Sequence, residues 1–325
     1  MDVGILLIQQ CLCLAKSSRA YAVRVRNLSI VVGLGYNLFL LVICKRSNLP
    51  VHLHKSYFEQ TKDFIMLKKL SVIALATVAL AASATSFAKE SLLDRINQKG
   101  TITVGTEGTY APFTYHDESG KLTGYDVEVT RAVAEKLGIK VEFKETNWDS
   151  MLAGLKAGRF DLVANQVALT TPERQAIFDK SEAYNWSGAV LVAPKTETRI
   201  QKIEDVKGLR AAQSLTSNYG ELARKYEAVL VPVDGLAQSI KVIETKRADF
   251  TFNDSLAILD YIKKNPKSDL KIFWESDDKV GAGLVVDKGN DEALTKISKA
   301  IVELRNEGKL KALGEQFFGR DVSVK

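Results

Sequence analysis

From residue 100 onward, apolar positions alternate between a period of two and a period near 3.6. Thr101–Gly105 is a short β-branched run, the mark of a strand. Val129, Val133 and Leu137 recur at i, i+4 and i+8, predicting a helix over Tyr125–Leu137, with Gly138 just past its end. Ile139, Val141 and Phe143 then alternate with Lys140, Glu142 and Lys144, a half-buried strand. Trp148–Ala157 reads as a second amphipathic helix closed by Gly158, and Phe160–Ala164 as a third strand. Strand–helix–strand–helix–strand predicts an α/β lobe, a mostly parallel sheet flanked by helices.

The pattern then restarts. Leu209–Gln213, Val229–Val233 and Asp249–Phe252 read as strands, with helices at Tyr219–Tyr226, Leu236–Lys246 and Ser255–Lys264. A short echo links the halves: Arg159-Phe-Asp161 reaches Asn165 four residues on, and Arg247-Ala-Asp249 reaches Asn253 in the same way. Two open sheets place a ligand in the crevice beyond the carboxyl ends of their strands, at the loops from Thr106, Asn165, Ser214 and Asn253. Two extended apolar stretches, Gly188–Pro194 and Val280–Val286, are the expected crossings between lobes and so the hinge. Residues 89–190 with 286–325 form the first lobe in this reading, and 195–281 the second.

The front of the chain follows other rules. Met66 opens a basic start (Lys68, Lys69), an apolar run over Leu70–Ala82, and small residues at Ser86 and Ala88. That is the layout of a secretory signal, residues 66–88, cut after Ala88. The run is too short to cross a hydrocarbon core, which takes about 20 apolar residues. An internal signal makes Met66 the working start and leaves 1–65 as an upstream extension, not translated or not part of the fold. Within it, Leu28–Cys44 is apolar enough that a membrane anchor is the alternative.

Composition sharpens this division. Ten of the 45 basic residues and three of the 39 acidic ones precede residue 89, so the body is near neutral despite a sequence pI of 9.0. The pI is therefore no argument for a nucleic-acid partner. Cys11, Cys13 and Cys44 also lie in the front, leaving the body no thiol for a disulfide or a metal. No cysteine follows the apolar run to take a lipid, which points to a soluble periplasmic product.

Gly124-Tyr-Asp-Val-Glu-Val129, followed by Val133, Ala134 and Leu137, resembles the signature segment of the family 3 extracellular solute-binding proteins. These are the amino-acid receptors of ABC importers. The likeness runs in register from about Leu92 to Gly319 and includes Thr109–Phe113, Thr171–Arg174 and Ala248–Asp254. Asn165-Gln166-Val167, with Trp148, Asp149, Met151 and Leu152, is most similar to the cystine/cysteine-binding members. The resemblance implies the two-lobed type II periplasmic-binding-protein fold, closing on one free L-amino acid and delivering it to a membrane-embedded ABC permease. It implies no cofactor and no catalysis. The chain is expected to be a monomer.

A free amino acid presents a carboxylate and an ammonium, so its receptor needs one fixed cation and one fixed anion. Arg174 follows Thr171-Pro172-Glu173, an N-cap, first position and acidic first turn. From spacing alone it reads equally as a solvated charge or as a guanidinium gripping a carboxylate through two bonds. The resemblance assigns it to the ligand, along with backbone near Val167 and Leu169 and the Ser217 hydroxyl. Asp254 reads by position as an N-cap for Ser255–Lys264; the resemblance makes it the partner of the ammonium. Ser217 is an N-cap candidate too.

Tyr110 and Trp148 are expected to wall the side-chain pocket, and Trp148 is equally a core residue. Asn165 sits at a strand end facing the crevice. Glu107 occupies the place where relatives for basic amino acids meet a distal cation, and cystine-type relatives also carry Glu. The ligand order is therefore cystine or cysteine, then a basic amino acid, then a neutral polar one such as glutamine. Two other classes compete: a cyclohexadienyl-dehydratase-like enzyme, and a surface sensor or adhesin. Against the enzyme, His116 is the body's sole histidine and sits in a turn, and no nucleophile–base set accompanies it.

Overall fold

The computed structural model describes residues 21–25, 28–35, 38–45 and 91–325, in two compact units that divide between Ser86 and Phe87. The expected signal segment, 66–88, lies outside the described residues. In the first unit, Tyr21–Val25, Leu28–Gly35 and Leu38–Lys45 pair as a three-stranded antiparallel meander. The described residues of the apolar stretch Leu28–Cys44 thus lie in two strands, Leu28–Gly35 and Leu38–Lys45. Among the described residues no helix is long and apolar enough to cross a membrane.

The second unit opens with α1 (Leu92–Lys99), capped by the Ser91 hydroxyl and ended by Gly100 in the left-handed region. There follow β1 (Thr101–Thr106), α2 (Tyr125–Lys136), β2 (Lys140–Glu145), α3 (Trp148–Lys156) and β3 (Leu162–Val163). Next come α4 (Pro172–Ile177), β4 (Phe178–Lys180), β5 (Asn185–Ser187) and β6 (Ala189–Pro194). The second half has β7 (Arg210–Gln213), α5 (Asn218–Lys225), β8 (Val229–Pro232), α6 (Gly235–Glu244), β9 (Thr251–Asp254) and α7 (Ser255–Lys264). It ends with β10 (Leu270–Glu275), β11 (Val280–Ala282), β12 (Val285–Asp287), α8 (Asp291–Asn306) and α9 (Lys309–Phe318).

The first lobe holds a five-stranded mixed sheet, and the second repeats its order as a two-stranded and a three-stranded sheet joined by one bridge. In the first the order is β4-β12-β3-β1-β2, with β1 parallel to β2 and β3, and β12 antiparallel to its neighbours. In the second, β8 and β7 are parallel, a parallel bridge from Ala211 to Phe250 joins β7 to the third strand, and β6 lies antiparallel between β9 and β10. Val104, Phe113, Tyr125, Val129 and Leu304 belong to the first lobe's core, and Leu191, Phe250 and Phe252 to the second's.

The seven-residue echo is a structural repeat. Asp161 accepts from the Thr103 backbone N–H at 2.9 Å, and Asp249 accepts from the Arg210 N–H at 2.8 Å. In both lobes an aspartate entering the third strand holds the start of the first. Each is then gripped by arginines, Arg95 for Asp161 and both Arg199 and Arg210 for Asp249. Asn165 and Asn253 are thereby delivered to equivalent strand ends.

One expectation needs correction. Gly188–Pro194 is not a crossing: β6 is buried along Val190–Ala193 and forms the middle of the second lobe's antiparallel sheet. A continuous apolar run marks a strand covered on both faces rather than a linker. The first crossing is β5, paired antiparallel with the return crossing β11 from Asn185–Ala282 to Ser187–Val280. The other half of Val280–Val286 has already joined the first lobe's sheet as β12.

Candidate functional site

The cleft between the lobes is built from strand ends, as the topology requires. At the end of β1 the Glu107 backbone N–H donates to Asn165 Oδ1 at 2.8 Å, and Asn165 Nδ2 donates to Glu107 Oε2 at 2.5 Å. Burial pushes the Glu107 carboxyl up to about 7, against the opposing Asn165 bond and with help from Asp234 and Asp149. Tyr110 reaches across the cleft, its hydroxyl donating to Asn253 Oδ1 at 2.8 Å.

Trp148 stands both in a core cluster, with Met151, Leu155 and Phe160, and on the cleft. Its indole N–H is buried without an acceptor among the described residues. The Arg174 guanidinium lies 5.7 Å from its ring centroid.

Arg174 is 6% exposed although it stands in the short helix α4, so it is not a solvated first-turn charge. It donates to the Thr216 carbonyl at 2.5 Å and reaches the Ala168 carbonyl at 3.5 Å. Burial lowers its pKa, opposed by the Glu221 charge, because a desolvated cation is disfavoured. Asp254 is 2% exposed and does cap α7, Oδ1 accepting from Leu256 N–H at 2.8 Å. Its Oδ2 accepts from Ser187, from Gln166 at 3.1 Å and from Tyr219 at 3.5 Å. Burial raises its pKa against these bonds.

Ser217 caps α5 by accepting from Gly220 N–H at 2.9 Å, and it also faces the cleft. Val167 is fully buried, its carbonyl accepting from Gly283 N–H at 3.1 Å, and Leu169 packs against the Trp148 cluster. A cavity opens in the cleft between the strand ends. Glu107, Tyr110, Trp148, Asn165 and Ser217 line it. Arg174 lies against the lining residue Trp148, Asp254 accepts from the lining residues Gln166 and Tyr219, and Val167 and Leu169 pack in the Trp148 cluster.

Gln166, the middle residue of Asn165-Gln166-Val167, is a lining residue that sequence reasoning missed. It holds φ 51, costly for a side-chain-bearing residue, and its amide spans the hinge. Nε2 donates to Asn185 Oδ1 at 2.9 Å, Ser187 Oγ at 3.0 Å and Asp254 Oδ2. Its backbone N–H meets Asp126, a fully buried carboxyl raised to about 7 by burial. Hydrogen-bond convergence of this kind has no sequence period, so no pattern flags it. Among the described residues no cluster of His, Cys, Asp and Glu is placed to hold a metal.

Residues 102–320 match the model of the bacterial extracellular solute-binding proteins, family 3. The chain belongs to that family. It is 71% identical to the L-cystine solute receptor of Neisseria gonorrhoeae in its unliganded open conformation, covering 72% of this chain and all of that one, with a TM-score of 0.51. The Bacillus subtilis L-cystine-binding protein TcyA is 47% identical over 70% of this chain and 85% of its own length. An ancestral arginine-binding protein bound to arginine is only 34% identical, covering 68% of this chain and 99% of that one, yet its TM-score is 0.64. Identity alone would rank the two structures the other way. In this structure the Tyr110–Asn253 bond ties the two lobes across the cleft.

Proposed function

We propose that this chain is the substrate-binding protein of an ABC importer and that it captures L-cystine in the periplasm for a membrane permease. The observation that carries the capture is a pair of unmatched charges on opposite lobes. Arg174 in the first lobe and Asp254 in the second are both buried, and neither is in an ion pair among the described residues. A zwitterionic amino acid supplies the missing partner to each, carboxylate to Arg174 and ammonium to Asp254, and so draws the lobes together. Ser217 and the backbone around Val167–Leu169 complete the carboxylate side, Tyr110 and Trp148 the walls, and Glu107 with Asn165 the far end. Cystine as the ligand rests on the relatives named above.

Binding without turnover, by a monomer and without nucleic acid, belongs to the same proposal. Glu107, a cleft carboxyl poised near neutrality, is the group that an eliminating enzyme would use, which keeps the dehydratase as the second reading. Calorimetric titration of ligand-stripped protein with L-cystine and the common L-amino acids tests the choice. One-to-one cystine binding supports it. Preference for arginine or lysine would keep the receptor and give Glu107 the distal cation. No binding, with turnover of prephenate, would move the enzyme to the front.

A further inference from the structure

Asp149 is exposed at the first turn of α3, beside the cleft wall Trp148, yet its carboxylate is fully engaged by the other lobe. Oδ1 accepts from the Thr216 backbone N–H at 2.9 Å and from the Thr216 hydroxyl at 2.8 Å, and Oδ2 accepts from Leu215 N–H at 3.3 Å. Arg174, also of the first lobe, takes the Thr216 carbonyl. One residue of the second lobe is thus held by both poles of its backbone from the first lobe. The loop offering those N–H groups is braced within its own lobe: Arg224 donates to the Leu215 carbonyl at 2.7 Å, and Ser217 Oγ to the Ser214 carbonyl at 2.9 Å. Two consecutive N–H groups aimed at one carboxylate form an anion-binding nest.

We propose that Asp149 is a positioning residue, a latch that docks into the Leu215–Thr216 nest and holds the lobes shut on the bound ligand. This rests on the receptor reading above. The chain passes between the lobes carrying α3 and the nest through the hinge strands β5 and β11, so these bonds part when the lobes part. They form only on closure, so they oppose escape of the ligand and leave entry into the open cleft alone. Nothing in them requires contact between Asp149 and the ligand.

The test is stopped-flow binding and release of L-cystine by the wild-type chain, Asp149→Asn and Thr216→Val, with thermal unfolding of each. Asn keeps one acceptor and turns a donor toward the nest, so release should quicken about tenfold with the association rate nearly unchanged. Thr216→Val loses only the hydroxyl bond and should show a smaller effect, and the double variant should match Asp149→Asn rather than add to it. Asp149 acting only as a helix-terminal charge would lower the melting temperature with release unaltered, which overturns the latch. Tighter cystine binding by Asp149→Asn also overturns it, since the side chain would then be competing with the ligand carboxylate. Should wild-type protein fail to bind cystine, the ligand assignment falls and the latch is read without ligand. Spin-label distances between lobes must then show a smaller closed fraction in Asp149→Asn, and equal fractions overturn it.

Discussion

Replacing Glu107 by Gln tests the closed cleft through proton linkage. In the structure the carboxyl is lifted from an ordinary 4.5 to about 7, chiefly because burial takes it away from water. Between those values the folded chain keeps a proton that the unfolded chain has released. Stability therefore falls as pH rises through the window and levels off above about 7. At 1.36 kcal/mol per pH unit the interval from 4.5 to about 7 amounts to about 3 kcal/mol. This is an upper figure, because Glu107 is half-buried and water at its cleft face screens it. Asp126 titrates in the same window, but it is present in both proteins, so the difference between them isolates Glu107. Urea unfolding from pH 4.5 to 8 should show wild type losing up to about 3 kcal/mol more than Glu107→Gln. Parallel curves would refute the reasoning, since Glu107 would then be hydrated in solution and the cleft open around it.

Two further outcomes follow from the site. Arg174→Ala should weaken cystine binding by about 3–5 kcal/mol, roughly two to four orders of magnitude by calorimetry, because the ligand carboxylate is left buried and unpaired. Binding within tenfold of wild type would remove Arg174 from the site. Of the chain's three tryptophans, Trp148, Trp186 and Trp274, only Trp148 lines the cleft. Ligand should therefore change the emission of wild-type protein and leave that of Trp148→Phe unchanged, whereas a persisting change would place the responsive indole elsewhere.

Much of the architecture was legible because it is periodic. The helix over Tyr125–Lys136 and the strand over Lys140–Glu145 follow from spacings of four and two, since burial on one face must repeat at the period of the element. The echo around Asp161 and Asp249 was legible for a related reason: the same strand junction needs the same acceptor for the same backbone N–H. Asn165 could be placed on the crevice because strand ends of an open sheet face it, whereas Glu107 and Ser217 were expected there from the family resemblance and Tyr110 and Trp148 as aromatic walls; all five line the cavity.

What sequence alone left open is set by contacts between residues far apart in the chain. Nothing local shows whether Arg174 is solvated or buried; its burial depends on Trp148 and Thr216, which belong to different lobes. Asp254 is an N-cap by its neighbours, and only the approach of Gln166, Ser187 and Tyr219 makes it a buried, strained acid beneath a cleft. Val190–Ala193 reads as an extended apolar run in either place, and pairing with β9 and β10 puts it in a sheet rather than at the hinge. A linear pattern records which face of an element is apolar. The charge balance of a site depends on which elements meet, and that is decided only when the chain folds back and the two lobes close.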